Sequence, residues 1–422
     1  MAEDNTPTNE RPVAAEARLP EGGRDKPGLA RRLEQLHKLL KLAAKVGASD
    51  IHLKPGKVPV LRVNGQLMEV DGWPPLHPGD TGQFARLIMN EEQVQAFRRD
   101  HDVDLAYSVP GFGRFRANIY QQRGSIAVAL RIIPFELPDI RKLSLPPVIE
   151  RIALERRGLV LVTGTTGSGK STTLASIVNH INNTRAAHVI TIEDPIEFLF
   201  ADRKSMIAQR EVGLDAGGFH RALRAALRQD PDVILIGELR DPDTITTALM
   251  AAETGHLVLA TLHTLDVMET IHRIIAFYDG PQAQQVRYQF SSVIRAIVCQ
   301  RLLARADGQG RIPAVEVMVA TSRIAELIKE PHRTHEIREA ISQGYSNYGM
   351  QTFDMCLSHL VLEKKITYEE ALDNCTNQGD FELKFKGVSS TSDAEHEEYQ
   401  RLSKGGDAPA AGNDMVIERF SK

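Results

Sequence analysis

The chain has 422 residues, beyond the ~250–300 at which a single hydrophobic core stops growing, so two or three domains are expected. Apolar residues make up 42% and charged residues 25%, and 51 Lys and Arg against 55 Asp and Glu leave a formal net charge of −4, which argues against a nucleic-acid protein held by charge alone while leaving room for local basic patches. Three scattered cysteines, Cys299, Cys356 and Cys375, exclude a disulfide framework or a cysteine zinc site and fit a reducing compartment, and no apolar run approaches the roughly 20 residues that span a bilayer.

Residues 1–28 are polar, rich in Pro and Gly, and carry charges of both signs with no apolar stretch, so they are expected to be disordered rather than a secretory signal. Leu29, Leu33, Leu36, Leu40 and Ala43 then recur every three or four residues, which predicts a helix with Arg31, Arg32, Lys38 and Lys41 on its other sides. A basic amphipathic helix of this kind can dock on anionic lipid. Packing on its own domain is the favoured use.

Over residues 49–133, short strand-like pieces (IHL, VPVLRVNGQL, GRFRANIYQQ, SIAVALRII) alternate with turn signals such as Asn64-Gly65, and a small α+β domain is expected at 29–135. Arg114, Arg116, Arg123 and Arg131 cluster in its strand-like half. Planar guanidinium groups suit phosphate oxygens, although most exposed arginines are simply solvated. The proline-rich PFELPDIRKLSLPPV then predicts a linker, assigned to 136–150, with a hinge.

Within 151–387, β-rich segments alternate with helical ones: GLVLVTG, a helix from Lys170, HVITIED, a helix around Phe219 to Arg228, PDVILIGE, a helix around Pro242 to Glu253, and HLVLATLH. That order predicts a parallel sheet with covering helices. Arg221, Arg224 and Arg228 share one helical face, suited to a subunit contact or to solvation. After Gly280 the pattern reads as mainly helical to about residue 375, and 388–422 as a flexible tail.

Gly164, Thr165, Thr166, Gly167, Ser168, Gly169, Lys170 and Ser171, with Thr172 following, match G-x-x-x-x-G-K-[ST] between a predicted strand and a predicted helix. Glycines let backbone N–H groups close around phosphate oxygens, Lys170 supplies a cation, and the Ser171 hydroxyl is a ligand for Mg2+. In open α/β sheets ligands bind beyond the carboxyl ends of the strands. There HVITIED ends in Glu193 and Asp194, with Glu197 four residues past Glu193; VILIG ends in Glu238; and LVLATLH ends in His263. Glu238 is the candidate for polarising an attacking water. Glu193 and Glu197 are candidates for Mg2+, directly or through its waters, and His263 for a γ-phosphate sensor. Asp232 precedes its strand and reads as a turn residue. His256 and His263 have no third ligand near them and make a poor zinc site.

These residues resemble the secretion ATPase superfamily, and within it the type IV pilus retraction ATPases of the twitching-motility (PilT/PilU) type. TGTTGSGKST is similar to the family's Walker A loop, TIEDPIEF to its Asp box, DPDVILIGELRD to its Walker B region and TGHLVLATLHT to its His box. GASDIHLKPG, VNGQL and GRFRANIYQQRGS extend the likeness through the first domain, so that it covers roughly residues 35–385. The resemblance implies an α/β chain with a PAS-like N-terminal domain, a RecA-like domain with a helical C-terminal portion, and a homohexameric ring. It further implies ATP and Mg2+ at sites completed by Arg116 and Arg131, a cytoplasmic location peripheral to the inner membrane, and action on a membrane platform protein, with a paralogous retraction ATPase as a further partner. RIAELIKE at 323–330 keeps the apolar spacing of the retraction-associated AIRNLIRE pattern but not its polar identity, and GMQTFD at 349–354 is closer to type. The extension YEEALDNC…LKFKG looks more like the accessory retraction paralogue. An assembly-type motor of the same superfamily usually carries a tetracysteine zinc insertion, which three isolated cysteines do not supply. A non-hydrolysing nucleotide-binding module is the non-enzyme alternative, and the intact Glu238 counts against it.

Overall fold

The computed structural model describes residues 26–385 apart from 64, 110–111, 134–136 and 138. Most of the lead-in read as disordered, the whole of the tail from 388 and the Asn64 half of the turn signal lie outside the described residues. The chain divides into two compact units, one of Met1–Leu137 with Asp194–Ala201 and one of Pro138–Glu193 with Asp202–Lys422.

In the first unit, α1 (Lys26–Lys45) precedes three strands, β1 (Ala48–Leu53), β2 (Val60–Val63) and β3 (Gln66–Glu69), then α2 (Pro78–Ile88) and α3 (Glu91–Asp100), then β4 (Asp102–Val109), β5 (Gly113–Gln122) and β6 (Ser125–Ile133). The strands form one antiparallel sheet in the order β3-β2-β1-β6-β5-β4. Alternation along β5 buries Phe115, Ala117 and Ile119 and turns Arg116 outward, as a period of two requires for a sheet with one covered face. The first helix packs on its own domain, against α2 and β1, and buries Leu36, Leu39, Leu40 and Ala43. Leu39 takes the place expected for Leu33, which is half-buried, and the helix starts at Lys26 rather than after residue 28.

The second unit opens with α4 (Val148–Ala153), and Ile140, Leu145, Val148 and Ile149, from the stretch read as a linker, are buried in it. Its elements continue as β7 (Gly158–Thr163), α5 (Lys170–Thr184), β8 (His188–Glu193), β9 (Met206–Glu211), α6 (Phe219–Ala226), β10 (Val233–Ile236), α7 (Pro242–Glu253), β11 (Leu257–Leu262), α8 (Val267–Ile275), α9 (Gly280–Val293), β12 (Ile294–Ala304) and β13 (Arg311–Val319), with helices from Ser322 to Phe385. The seven-stranded sheet runs β13-β12-β7-β11-β10-β8-β9, parallel throughout except that β13 returns antiparallel to β12. Every residue of β7, β10 and β11 is buried, which accounts for their uninterrupted apolar text.

One expectation is corrected. Residues 294–319, within the stretch read as mainly helical, form the β12–β13 hairpin, and β12 pairs directly with the strand that carries the phosphate-loop motif. The apolar positions of IRAIVCQRLLA fit a helical period as well as a strand buried on both faces. The hairpin instead follows from Asp307-Gly308 and Gly310, with both glycines at positive φ.

Candidate active site

Because β7, β11, β10 and β8 are adjacent and parallel, their carboxyl ends share one sheet edge. The motif loop leaves β7, His263 follows β11, Glu238 follows β10 and Glu193 ends β8, so four strand ends read separately in the sequence converge.

Backbone shape makes the loop. Gly164 adopts φ 145°, and a Cβ there would lie 2.3 Å from the Gln300 carbonyl oxygen and 2.5 Å from Ser168 Oγ. Gly169, at φ 92°, caps α5 in the left-handed region, and a Cβ there would lie 2.7 Å from Gln300 Nε2. Thr165, Thr166 and Gly167 form the exposed crest of the loop, while Ser171 and Thr172 are half-buried in the first turn of α5. The Lys170 ammonium donates to the carbonyls of Gly164 (2.8 Å) and Thr165 (2.9 Å), which fixes it inside the loop. Ser168 Oγ is buried, with no hydrogen-bond partner among the described residues. A buried hydroxyl without an acceptor, beside a lysine and the amino end of a helix, fits a phosphate oxygen.

At the neighbouring strand ends, Glu238 Oε2 accepts from Arg240 Nη2 (2.7 Å) and lies 3.3 Å from His263 Nε2. Burial raises the Glu238 pKa, but the Arg240 hydrogen bond and the charge of His263 outweigh it and hold the carboxyl below its usual value. Glu238 is therefore an anion at neutral pH, able to accept a hydrogen bond from water. The Thr191 hydroxyl (2.6 Å) and Gln209 Nε2 (3.3 Å) both donate to Glu193 Oε1, so one carboxylate oxygen of Glu193 is already engaged. Glu197 is exposed and falls in the segment Asp194–Ala201, which groups with the first unit. Asp232 sits at the opposite edge, where its carboxylate accepts from His188 N (2.8 Å), as its place before the strand implies.

Two residues were missed in the sequence. Gln300 on β12 closes the floor of the loop, its Oε1 accepting from the Thr173 hydroxyl at 2.7 Å. It was hidden by the helical reading of its segment. Arg240 lies two residues past Glu238 and reads there as an ordinary surface charge, although the ELR text carried it. In the first unit Arg116 and Arg131 are cross-strand partners on β5 and β6 and both are exposed. Arg131 Nε donates to Asp50 Oδ1 at 3.0 Å.

Mg2+ prefers oxygen ligands and keeps several waters. Among the described residues no group of three or more His, Cys, Asp or Glu is placed to hold a metal ion. The oxygens this chain offers such an ion are the Ser171 hydroxyl in the first turn of α5 and the Glu193 carboxylate at the end of β8, so phosphate oxygens and water would have to complete the shell.

The model of the type II/IV secretion system protein family matches residues 25–367. The chain is 39% identical to the type IV pilus ATPase PilU of Pseudomonas aeruginosa over 92% of its own length and 100% of that protein. It is 43% identical to the type IV pilus retraction ATPase PilT of the same organism, over 79% of the chain and 96% of that relative. The crystal structure of the pilus retraction motor PilT with bound ADP superposes with a TM-score of 0.73 at 45% identity, covering 81% of this chain and 97% of the other.

Proposed function

The chain belongs to the type II/IV secretion system protein family as a type IV pilus retraction ATPase, and we propose that it works as a homohexameric ring that drives pilus disassembly at a platform protein of the inner membrane. The observation that carries the hydrolytic reading is the shared edge itself, where a lysine-filled phosphate loop lies among strand ends bearing Glu238, His263 and Glu193. The full-length likeness to PilU and PilT supports the retraction branch.

In this proposal the loop amides and the Ser168 hydroxyl take the phosphate oxygens, and Lys170 turns from the Gly164 and Thr165 carbonyls to the β- and γ-phosphates. Ser171, with Glu193 through water, holds Mg2+, which when bound neutralises charge on the phosphates. Glu238 accepts a hydrogen bond from the attacking water and orients it, while His263, 3.3 Å away, reports on the γ-phosphate. Arg116 and Arg131 supply guanidinium groups to the phosphates, Glu197 contributes to the Mg2+ water shell, and closure and release of the two units transmit the stroke. The protein acts from the cytoplasmic side, attached peripherally through its partner, and a paralogous retraction ATPase works beside it.

Two measurements on the purified full chain test this. Lys170→Ala is expected to abolish ATP binding and hydrolysis together, and wild-type turnover in that variant would contradict the site. Light scattering in Mg-ATP is expected to give the mass of six copies; a monomer under those conditions would contradict the ring.

A further inference from the structure

Behind the hydrolytic edge lies a buried polar row that the chemistry above does not use. Thr163, the last residue of β7, is the register partner of Cys299 on β12, and Cys299 is the partner of Glu316 on β13. All three are buried. The Thr270 hydroxyl of α8 donates to the Asp266 carbonyl (2.7 Å), which leaves it to accept from the Thr264 hydroxyl (2.7 Å), and Thr163 Oγ1 is 3.5 Å away. The row therefore reaches from the strand that feeds the phosphate loop to the loop that follows His263.

That second loop is tied down amide by amide. The Leu265 amide donates to Glu269 Oε2 (2.8 Å), and the Glu269 amide donates to Asp266 Oδ1 (2.8 Å). Both ties are made between the loop and its own helix. The Val267 amide, at the first position of α8, donates instead to Glu316 Oε2 at 2.9 Å, across 49 residues of chain. A carboxylate at the amino end of a helix meets unsatisfied amides and the positive end of the helix dipole. Its burial opposes ionisation and pushes its pKa up to about 7; nearby Asp266 adds to this, while the Val267 amide, Arg338 and Arg301 oppose it. Cys299, facing it from β12, is neutral because burial raises its thiol well above the usual value.

We propose that Glu316 is a positioning residue for ATP hydrolysis: by holding the Val267 amide it fixes the first turn of α8, and with it the 263–266 loop that sets His263 against Glu238. The proposal rests on the reading of Glu238 and His263 as hydrolytic groups. An ionised carboxylate holds the amide more strongly than the neutral acid does, so positioning tightens as pH rises through about 7. Glutamine keeps a carbonyl acceptor of the same length without the titration.

The test is steady-state ATP hydrolysis by the full chain between pH 6 and 8.5 for wild type, Glu316→Ala, Glu316→Gln and Glu238→Gln. Glu316→Ala is expected to lower kcat at least tenfold with KM for ATP within twofold, because the phosphate loop is untouched. Glu316→Gln is expected to recover most of kcat and to lose the part of the kcat–pH curve centred near 7. The proposal is overturned if Glu316→Ala keeps kcat within twofold, if its kcat and KM worsen together, or if Glu316→Gln reproduces the wild-type pH curve. Should Glu316→Ala not fold, the Glu316→Gln pH curve decides alone. An inactive Glu238→Gln beside unaffected Glu316 variants overturns this proposal only, whereas a fully active Glu238→Gln overturns the hydrolytic reading and the proposal with it.

Discussion

Glu238 is ionised and oriented by two neighbours, Arg240 and His263, before any substrate arrives. Glu238→Gln keeps the side-chain shape and removes the charge, and is expected to lower kcat by about 10²-fold or more while ATP still binds. Turnover measured beside nucleotide affinity checks both halves of that statement. Gly164→Ala fails differently. Its Cβ would fall 2.3 Å from a backbone carbonyl at φ 145°, so strain of about 1–3 kcal/mol and loss of ATP binding are expected together. Thermal unfolding and nucleotide titration read the two effects. The phosphate loop and the acidic strand ends were legible because their chemistry needs fixed residue types in a fixed order after apolar runs. Gln300 was not, since a contact made across 127 residues leaves no local pattern, and Arg240, two residues past Glu238, looks in the sequence like any surface charge. Glu197, read from the same strand end, lies beyond the last residue of β8 with Pro195 between, so its proposed part in the Mg2+ water shell rests on the loop rather than on the strand.

Among elements, α7 shows how local capping serves the site. Its N-cap Asp241, three residues past Glu238, accepts from the Thr244 amide (2.8 Å) and the Thr244 hydroxyl (2.7 Å). Asp241→Ala is expected to destabilise the fold by about 0.5–2 kcal/mol in chemical denaturation, with Asp241→Asn recovering most of it. The helix expected around Pro242 to Glu253 spans those residues, with Pro242 at its first position; the cap itself is a finding of the structure. The strands β7, β8, β10 and β11 were equally legible as short apolar runs bounded by Gly, Asp and His. β12 and β13 were not, because a strand buried on both faces loses its alternation and then resembles a buried helix. In the first unit, the pieces GRFRANIYQQ and SIAVALRII coincide with β5 and β6, while β4, with Asp102 and Asp104 exposed, was not among the strand-like pieces.

For the whole molecule, Glu316 also sets a pH dependence of stability. Its folded pKa of about 7 lies above the ordinary 4.5, so the native state binds an extra proton between those values. Stability from this group is greatest below about 4.5 and falls by about 3 kcal/mol as pH rises to about 7, levelling off above. Glu316→Gln is expected to flatten that slope in unfolding curves taken from pH 5 to 8. No helix among the described residues is long and apolar enough to cross a membrane. If hydrolysis at Glu238 removes pilin from the fibre, cells whose chromosomal copy carries Glu238→Gln cannot withdraw their pili, and a count of surface pili beside a twitching assay reads this. Retained or excess pili with twitching lost is the predicted result; bald cells would mean that the motor assembles pili and would contradict it.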